Sequence, residues 1–210
     1  MIGSRIAAAT TAAVLNFAVV GGHRAGVSIL QSSLTETPGV VCHGDLLFSE
    51  HGTPAEQDAV RRAAHESYYG PSRDPVRLPE WLHAEANPYR YLIDNVFDNP
   101  RSGETKIGVK MLYATMQKHE LYELLEERWR EGDFCVVHVL RNPVACLVSL
   151  RQAQESGIWR EWAGCPSQSY PPMPVNLDPA ELAEHVRRYE AIRRKVRASC
   201  QDAMEVQYKD

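Results

Sequence analysis

Short, nearly continuous apolar runs recur along the chain and predict β-strands that are buried on both faces. The three most apolar runs are Phe17–Val20, Ile107–Leu112 and Phe134–Leu140. Two further runs, Val40–Cys42 and Met204–Tyr208, extend the series. Such runs are typical of a parallel sheet covered by helices, because neither face of its strands meets water.

Stretches with helical spacing of apolar residues alternate with these runs. We predict five helices, at residues 28–34, 55–68, 115–130, 143–156 and 178–200. Asn142 precedes Pro143 and Asp178 precedes Pro179, which predicts an N-cap followed by proline in the first turn of the last two helices. Glu181 follows Asp178 at the spacing of a reciprocal capping box.

The alternation of strands and helices predicts an α/β fold with three layers, in which a central parallel sheet is flanked by helices. The length suits a single domain covering residues 1–210. Residues 70–105 and 158–177 are rich in proline and aromatic residues. We predict that they form long loops over the active site, because loops of this length in a compact domain usually serve binding.

Charge and cysteine content exclude several classes of function. The net charge of −4 lacks the basic excess of a nucleic-acid binder. The five cysteines are scattered without CxxC spacing, so neither a disulfide framework nor a zinc ribbon is indicated, and a cytoplasmic location is predicted. No apolar run reaches the roughly 18 residues of a membrane span. Residues 6–15 could pass for a signal peptide, but threonines interrupt them and one arginine is their only preceding basic residue.

The first predicted strand leads into a glycine-containing turn and then a helix. Gly22 and Gly26 allow the backbone to approach a ligand closely, and the helix N-terminus favours an anion. Arg24 adds a charged donor and Ser28 adds a hydroxyl, so the segment has the composition of a phosphate cradle. A turn that only reverses the chain is the alternative interpretation.

This turn differs from the two common nucleotide-binding fingerprints. Gly21 and Gly26 have the glycine spacing of a Walker A loop, but Val27 stands where that motif needs lysine. The Rossmann pattern G-x-G-x-x-G is also missing. The γ-phosphate of ATP would therefore lose its usual lysine partner.

A second candidate phosphate site follows the run that ends at Leu140. Arg141 comes at the carboxyl end of this strand, where open α/β sheets bind ligands. Ser149 lies about two helical turns into the next helix and can face the same crevice. An arginine and a hydroxyl that converge suit a phosphate. Alternatively, Arg141 pairs with a surface acid and Ser149 fills a small helix contact.

Together, the two segments resemble the phosphate sites of the sulfotransferase family that uses 3′-phosphoadenosine 5′-phosphosulfate (PAPS). Residues 22–30 are similar to the family's 5′-phosphosulfate loop, commonly Pro-Arg/Lys-Ser-Gly-Thr-Thr-x-Leu, and Arg141-Asn-Pro-x₅-Ser149 is similar to its 3′-phosphate site. Residues 107–112 resemble a strand of bacterial and Golgi-type members, and residues 149–159 resemble the bacterial branch. The resemblance implies a P-loop-type fold.

The resemblance also implies a reaction and a set of binding residues. A sulfuryl group would pass from PAPS to a hydroxyl or amine of a small acceptor, such as a carbohydrate, lipid or natural product. The product is 3′,5′-adenosine bisphosphate (PAP), and no metal is involved. Arg24 would meet the charge that develops on the bridging oxygen. The implied cofactor-binding residues are Gly22, His23, Arg24, Ala25, Gly26, Val27, Ser28, Arg141 and Ser149.

A catalytic base is expected near the end of the second predicted strand, beside the first loop. Several branches of the family carry a glutamate after a glycine at about this distance from the basic residue of the loop, and here Asp45 follows Gly44. Asp45 is favoured as the base, although its side chain is one methylene shorter. His43 is the competing candidate, because imidazole titrates near neutral pH. Lys110 is a further candidate, unless it only extends to water at the sheet edge.

The chain departs from the family pattern at two positions. Ala25 and Val27 stand where serine and threonine are usual, and each removes a hydroxyl from the cradle. The chain also ends at Asp210, before the helices and loop with which members usually continue, so we expect an incomplete C-terminus. A catalytically impaired nucleotide- or partner-binding protein is therefore the alternative function. A P-loop phosphotransferase is a second alternative, which the missing lysine disfavours.

The predicted helix at residues 178–200 carries many basic residues. Acidic residues are interspersed with them, including Glu184 and Glu190. This mixture indicates a solvated helix face and not a nucleic-acid interface.

Overall fold

The computed structural model describes residues 15–44, 90, 92–97, 105–132, 134–156 and 174–209. The strands in this part are β1 (Leu15–Gly21), β2 (Val40–His43), β3 (Lys106–Leu112), β4 (Phe134–Leu140) and β5 (Met204–Gln207). The α-helices are α1 (Val27–Thr35), α2 (Tyr113–Lys118), α3 (Tyr122–Glu131), α4 (Pro143–Ser156) and α5 (Pro179–Ser199). A π-helical turn covers Ile93–Phe97.

The five strands form one parallel sheet in the order β2-β3-β1-β4-β5. The central strand β1 is almost entirely buried, with Ala18, Val19 and Val20 fully excluded from solvent. This burial explains why the strand is a continuous apolar run. The predicted α/β class with a helix-flanked parallel sheet is confirmed.

The two faces of the sheet are covered by different helices. Lys110 of β3 and Val19 lie at one level of the register, and His138 of β4 and Val20 lie at the next. Successive side chains of a strand point to opposite faces, so Lys110 and His138 lie on opposite sides of the sheet. Lys110 hydrogen-bonds to Ser28 of α1, whereas His138 contacts Tyr113, which packs on α5. Helices α1 and α5 therefore belong to the two outer layers of the fold, and we call the sheet faces that they cover the α1 face and the α5 face.

One helix prediction and one loop prediction need correction. The predicted helix at residues 115–130 is two helices, because Glu120 has a positive φ of 52° and interrupts the chain between α2 and α3. Within the predicted loop at residues 70–105, Ile93–Phe97 is helical, and Leu92, Val96 and Phe97 are buried in the core. The apolar contacts of these residues outweigh the proline-rich composition around them. The predicted helix at residues 55–68 lies outside the described residues.

The predicted N-caps are confirmed, with one change. The Asn142 side chain accepts a hydrogen bond from the Val144 amide, and Asp178 accepts one from Ala180. Glu181 does not complete a capping box, because its carboxylate pairs with Arg151 of α4. That pair instead ties α5 to α4. Within the described ranges, no helix is long and apolar enough to cross a membrane.

The topology defines where a ligand can approach the sheet. The chain leaves β1 toward β2 on one side and leaves β4 toward β5 on the other, so the strand order reverses between β1 and β4. In open parallel sheets, this switch point opens a crevice beyond the carboxyl ends of the strands. Residues 22–26 follow β1 and residues 141–142 follow β4, so both segments lie at this switch point.

Candidate functional site

The loop between β1 and α1 has the backbone shape of an anion cradle. Arg24 and Gly26 both adopt positive φ values, of 62° and 92°. The Ala25 amide donates to the Gly22 carbonyl at 3.2 Å, which closes the turn, and Gly26 occupies the N-cap of α1. Backbone amides at such a helix start are oriented toward a bound anion.

The two positions that depart from the family pattern point inward. Ala25 is fully buried and Val27 is 2% exposed. Both belong to the continuous apolar core under the loop. The side chains of residues 25 and 27 therefore supply no polar contact, whereas Arg24 and Ser28 do.

The two predicted phosphate-binding segments meet directly. The Arg24 Nε donates to Ser149 Oγ at 2.9 Å, across 125 residues of sequence. An Arg141 guanidinium nitrogen donates to the Arg24 carbonyl at 2.7 Å. Since a positive φ is unfavourable for a residue with a side chain, the Arg141 bond helps to hold the loop in this conformation. The structure therefore brings Arg24, Arg141 and Ser149 together, and it excludes a simple surface ion pair as the only role of Arg141.

Lys110 joins the site from β3. Its Nζ donates to Ser28 Oγ at 3.2 Å, and the residue is 5% exposed. The interpretation that Lys110 extends to water at the sheet edge is therefore wrong. Its register opposite Val19, in the centre of the sheet, explains why the side chain is enclosed.

The positions of the base candidates need one correction. The second predicted strand is not beside the first loop, because β3 lies between β2 and β1. Two strand spacings correspond to about 10 Å. His43 ends β2 and is buried. His23 is half-buried in the first loop. Asp45 lies outside the described residues.

Two tyrosines complete the walls of the site, and the sequence interpretation missed both. The Tyr208 ring lies under the Arg141 guanidinium, with 4.9 Å from Cζ to the ring centroid. A Cβ at Gly26 would come within 2.5 Å of Tyr208, and a Cβ at Gly22 within 2.4 Å of the buried Tyr189. Only glycine fits at either position without displacing a ring. Tyr208 could have been selected from the sequence, because it directly follows β5 and so lies at the same carboxyl edge of the sheet as Arg141.

Burial also controls which nearby groups can react. Burial raises the pKa of the Cys42 thiol to about 12, and the positive charge of Lys110 opposes only part of this shift. Cys42 therefore stays protonated at neutral pH and is a poor nucleophile. Burial likewise raises the pKa of the Tyr113 and Tyr189 hydroxyls above the ordinary value. Cys42, Tyr113 and Tyr189 are thus uncharged at neutral pH.

The basic face of α5 has a different character from the site. Arg187 pairs with Glu184 at 2.9 Å, and Arg193 pairs with Glu190 at 3.2 Å. Lys195 lies over the Tyr122 ring at 4.0 Å. This interleaving with acids agrees with the prediction of a solvated face.

Neither a metal site nor a relative provides further evidence for the function. Across the described part of the chain, no group of three or more His, Cys, Asp or Glu side chains could hold a metal ion. No protein-family model matches the sequence, and a search of curated proteins returns no match.

Proposed function

We propose that this protein binds PAPS and transfers its sulfuryl group to a hydroxyl or amine of a small acceptor. The observation that carries the proposal is the convergence of Arg24, Lys110 and Arg141 with the hydroxyls of Ser28 and Ser149. These groups come from three separate segments and meet at the switch point of the sheet. Their number and charge suit a ligand with two separate anionic groups.

The contacts support a division of roles between two phosphate sites. The loop amides, Arg24 and Ser28 suit the 5′-phosphosulfate, because they lie at the start of α1. Arg141 and Ser149 suit the 3′-phosphate, because both belong to the segment that follows β4. The Arg24–Ser149 hydrogen bond links the two sites, so binding at one site changes the environment of the other.

The proposed transfer needs positioning and charge stabilisation more than covalent chemistry. The acceptor oxygen or nitrogen attacks the sulfur, and the bond from sulfur to the bridging phosphate oxygen breaks. The electron pair of that bond passes to the bridging oxygen, where Arg24 and Lys110 would stabilise the negative charge. The acceptor proton passes to a base, for which Asp45 and His43 are the candidates. The products are the sulfated acceptor and PAP.

A second candidate function is nucleotide or partner binding without catalysis. The inward-facing Ala25 and Val27 favour it, since neither supplies the hydroxyl that the resembling family uses to hold the transferring group. This protein would keep the two phosphate sites and lose the rate enhancement. Affinity and turnover therefore have to be measured separately.

Calorimetric titration with PAP, 5′-AMP and ATP tests the proposal. We expect PAP to bind more tightly than either competitor, because it alone presents both a 3′- and a 5′-phosphate. Arg141→Ala should weaken PAP binding by about 30- to 100-fold, as expected for the loss of a charge-assisted contact. The matched control is Arg187→Ala, which removes an exposed arginine already paired with Glu184. Equal binding of the three nucleotides, or none, would contradict the proposal.

Turnover of sulfur-labelled PAPS with a panel of sugars, phenols and amines distinguishes an enzyme from a binding protein. Transfer of label to any acceptor, lost in Arg24→Met, is the result expected for a sulfotransferase. Tight PAP binding without transfer supports the second candidate function. Full turnover in Asp45→Asn would exclude Asp45 as the base and favour His43.

A further inference from the structure

A chain of polar side chains crosses the α5 face of the sheet outside the proposed phosphate sites. The Tyr113 hydroxyl lies 2.5 Å from His138 Nε2, and His138 Nδ1 lies 3.6 Å from a Glu205 carboxylate oxygen. Glu205 in turn accepts two hydrogen bonds from Arg197 of α5, at 2.5 and 2.8 Å. His138 is fully buried, although it belongs to a strand that is otherwise rich in apolar residues.

The hydrogen-bonding capacity of imidazole fixes the direction of this chain. The 3.6 Å contact from Nδ1 to Glu205 is electrostatic and not a hydrogen bond, and the buried Nδ1 has no hydrogen-bond partner among the described residues. Because a carboxylate only accepts, we assign the proton of the neutral ring to Nδ1, which faces Glu205. Nε2 is then the acceptor for the Tyr113 hydroxyl. Burial lowers the pKa of His138 to about 4, and the nearby Arg197 and Arg193 act in the same direction against the opposing effect of Glu205. The ring is therefore neutral near pH 7.

Strand β5 is the more exposed of the two edge strands in the described sheet. Both edge strands have four residues, but Val206 is the only residue of β5 that is not exposed, whereas no residue of β2 is exposed. Strand β5 consequently gains little from apolar burial, which is the main source of stability for the inner strands. Glu205 attaches β5 to α5 through Arg197 and faces β4 through His138.

This row of polar side chains connects to both tyrosines of the site, Tyr208 and Tyr189. Tyr208 follows Glu205 by three residues, and its amide donates to the Leu140 carbonyl at 2.8 Å while its ring lies under Arg141. On the other side, the Tyr113 ring packs edge-on against Tyr189 at 5.1 Å, and Tyr189 closes against Gly22.

We propose that His138 and Glu205 are positioning residues that hold the end of β5, and with it Tyr208, against Arg141 and the first loop. Neither residue has a described contact with Arg24, Lys110 or Ser149. They act through the strand on which Tyr208 lies. The importance of this positioning for affinity rests on the proposed function, whereas the positioning itself is a property of the protein without ligand.

Hydrogen exchange of the Tyr208 amide, measured in the full-length protein, tests this positioning directly. The variants are Glu205→Ala and His138→Gln, in which glutamine keeps a polar atom for Tyr113 but has none facing Glu205. We expect each to accelerate exchange at Tyr208 about tenfold or more, while amides of β1 and β3 stay protected. The matched control is Glu184→Ala, which breaks the ion pair with Arg187 on α5 and touches none of the residues of this network. It should leave hydrogen exchange at the Tyr208 amide unchanged.

PAP affinity, measured on the same variants, tests whether positioning matters for binding. We expect Glu205→Ala and His138→Gln to weaken PAP by about five- to tenfold each, and the double variant by no more than either single variant, because both interrupt one chain. Unchanged exchange at Tyr208, or faster exchange with unchanged affinity, would overturn the proposal, as would additive losses. If the wild-type protein binds no PAP, the proposed function fails, and the exchange experiment alone decides the role of the chain.

Discussion

The two faces of the sheet each bury one ionisable side chain beside the central strand β1, and the two are used differently. Lys110 lies opposite Val19 on the α1 face, and its ammonium group reaches the hydroxyl of Ser28 at the start of α1. His138 lies opposite Val20 on the α5 face, where Tyr113 and Glu205 enclose it. One register step separates a lysine that contacts the start of α1 from a neutral imidazole that lies between Tyr113 and Glu205.

This difference shows that burial alone does not identify a binding residue. Both side chains are at least nine-tenths buried and both contact a hydroxyl. What distinguishes them is the partner: Ser28 belongs to α1, which follows the first loop, whereas Tyr113 is itself buried and packs on Tyr189 of α5. We therefore expect changes at Lys110 to affect ligand binding and changes at His138 to affect stability and geometry first.

The largest expected effect concerns pH. The pKa of His138 is lowered by burial from its ordinary value to about 4, so the unfolded chain binds the proton more readily than the folded protein. The contribution of His138 to the free energy of unfolding is therefore fully present above about pH 6.5. It decreases by about 3 kcal/mol as the pH falls to about 4. Denaturant unfolding across this range measures the loss.

Two variants assign that loss to its source. His138→Gln should flatten the profile between pH 6.5 and 4, because no imidazole is left to protonate. His185→Gln should remove only a minor part, although burial also lowers the pKa of His185. If the pH dependence of stability is unchanged in His138→Gln, then His138 is not its source, and the expected difference between Lys110 and His138 is wrong.

Lys110→Met is the corresponding test on the α1 face. Methionine keeps much of the apolar stem and removes the charge, so we expect PAP affinity to fall about thirtyfold while stability stays equal or increases. Calorimetry and unfolding on the same sample separate the two effects. Lys195→Met is the control, since that lysine lies over Tyr122 on α5, and its removal should leave affinity unchanged. A loss of stability without a loss of affinity would make Lys110 a structural residue.

Two glycines with similar backbone angles test the contact between β5 and the first loop. Gly26 and Gly132 have φ values of 92° and 81°, but only Gly26 has a neighbour, Tyr208, in the space a Cβ would occupy. Alanine at either position should cost about 1 kcal/mol of unfolding free energy from the positive φ. Only Gly26→Ala should also weaken PAP binding, because it displaces the Tyr208 ring. Equal affinities of the two variants would show that Tyr208 is not part of the site.

The smallest expected effect is on the exposed face of α5. Glu184→Gln breaks the ion pair with Arg187, in which both side chains are more than half exposed. We expect a change below about 0.5 kcal/mol in unfolding free energy, because water and salt screen such pairs. Thermal unfolding at low and high salt measures this change. A larger loss would indicate that α5 depends on its surface charges.

Much of the fold follows from the sequence because the strands are buried on both sides. The run Phe134–Leu140 coincides with β4, and the helix predicted at residues 143–156 coincides with α4. The break at Glu120 could not be predicted, since an apolar stripe through Leu121 and Leu125 records which face is buried and not the backbone angle between two helices.

The π-helical turn was predictable in principle. Leu92, Ile93, Val96 and Phe97 have the spacing of a helical apolar face, but the surrounding prolines outweighed that signal.

The site was predicted in its composition and not in its connections. Arg24, Arg141 and Ser149 could be selected because each lies at the carboxyl end of a strand or in the helix after it. The hydrogen bonds among them depend on side-chain reach across β1 and β4, which no local pattern encodes. Tyr208 and Tyr189 were missed for the same reason, since their roles come from the loop glycines against which they pack.

The bond from Arg141 to the Arg24 carbonyl has a consequence for biosynthesis. The loop is translated early, but the donor that holds its left-handed residue is 117 positions later in the chain. During synthesis, chains generally fold as they emerge from the N-terminus, and contacts this distant close late. A ribosome-bound chain that ends before residue 141 would therefore carry the whole first loop without the guanidinium that fixes its shape. The left-handed conformation at Arg24 should therefore gain this hydrogen bond only after β4 has docked beside β1.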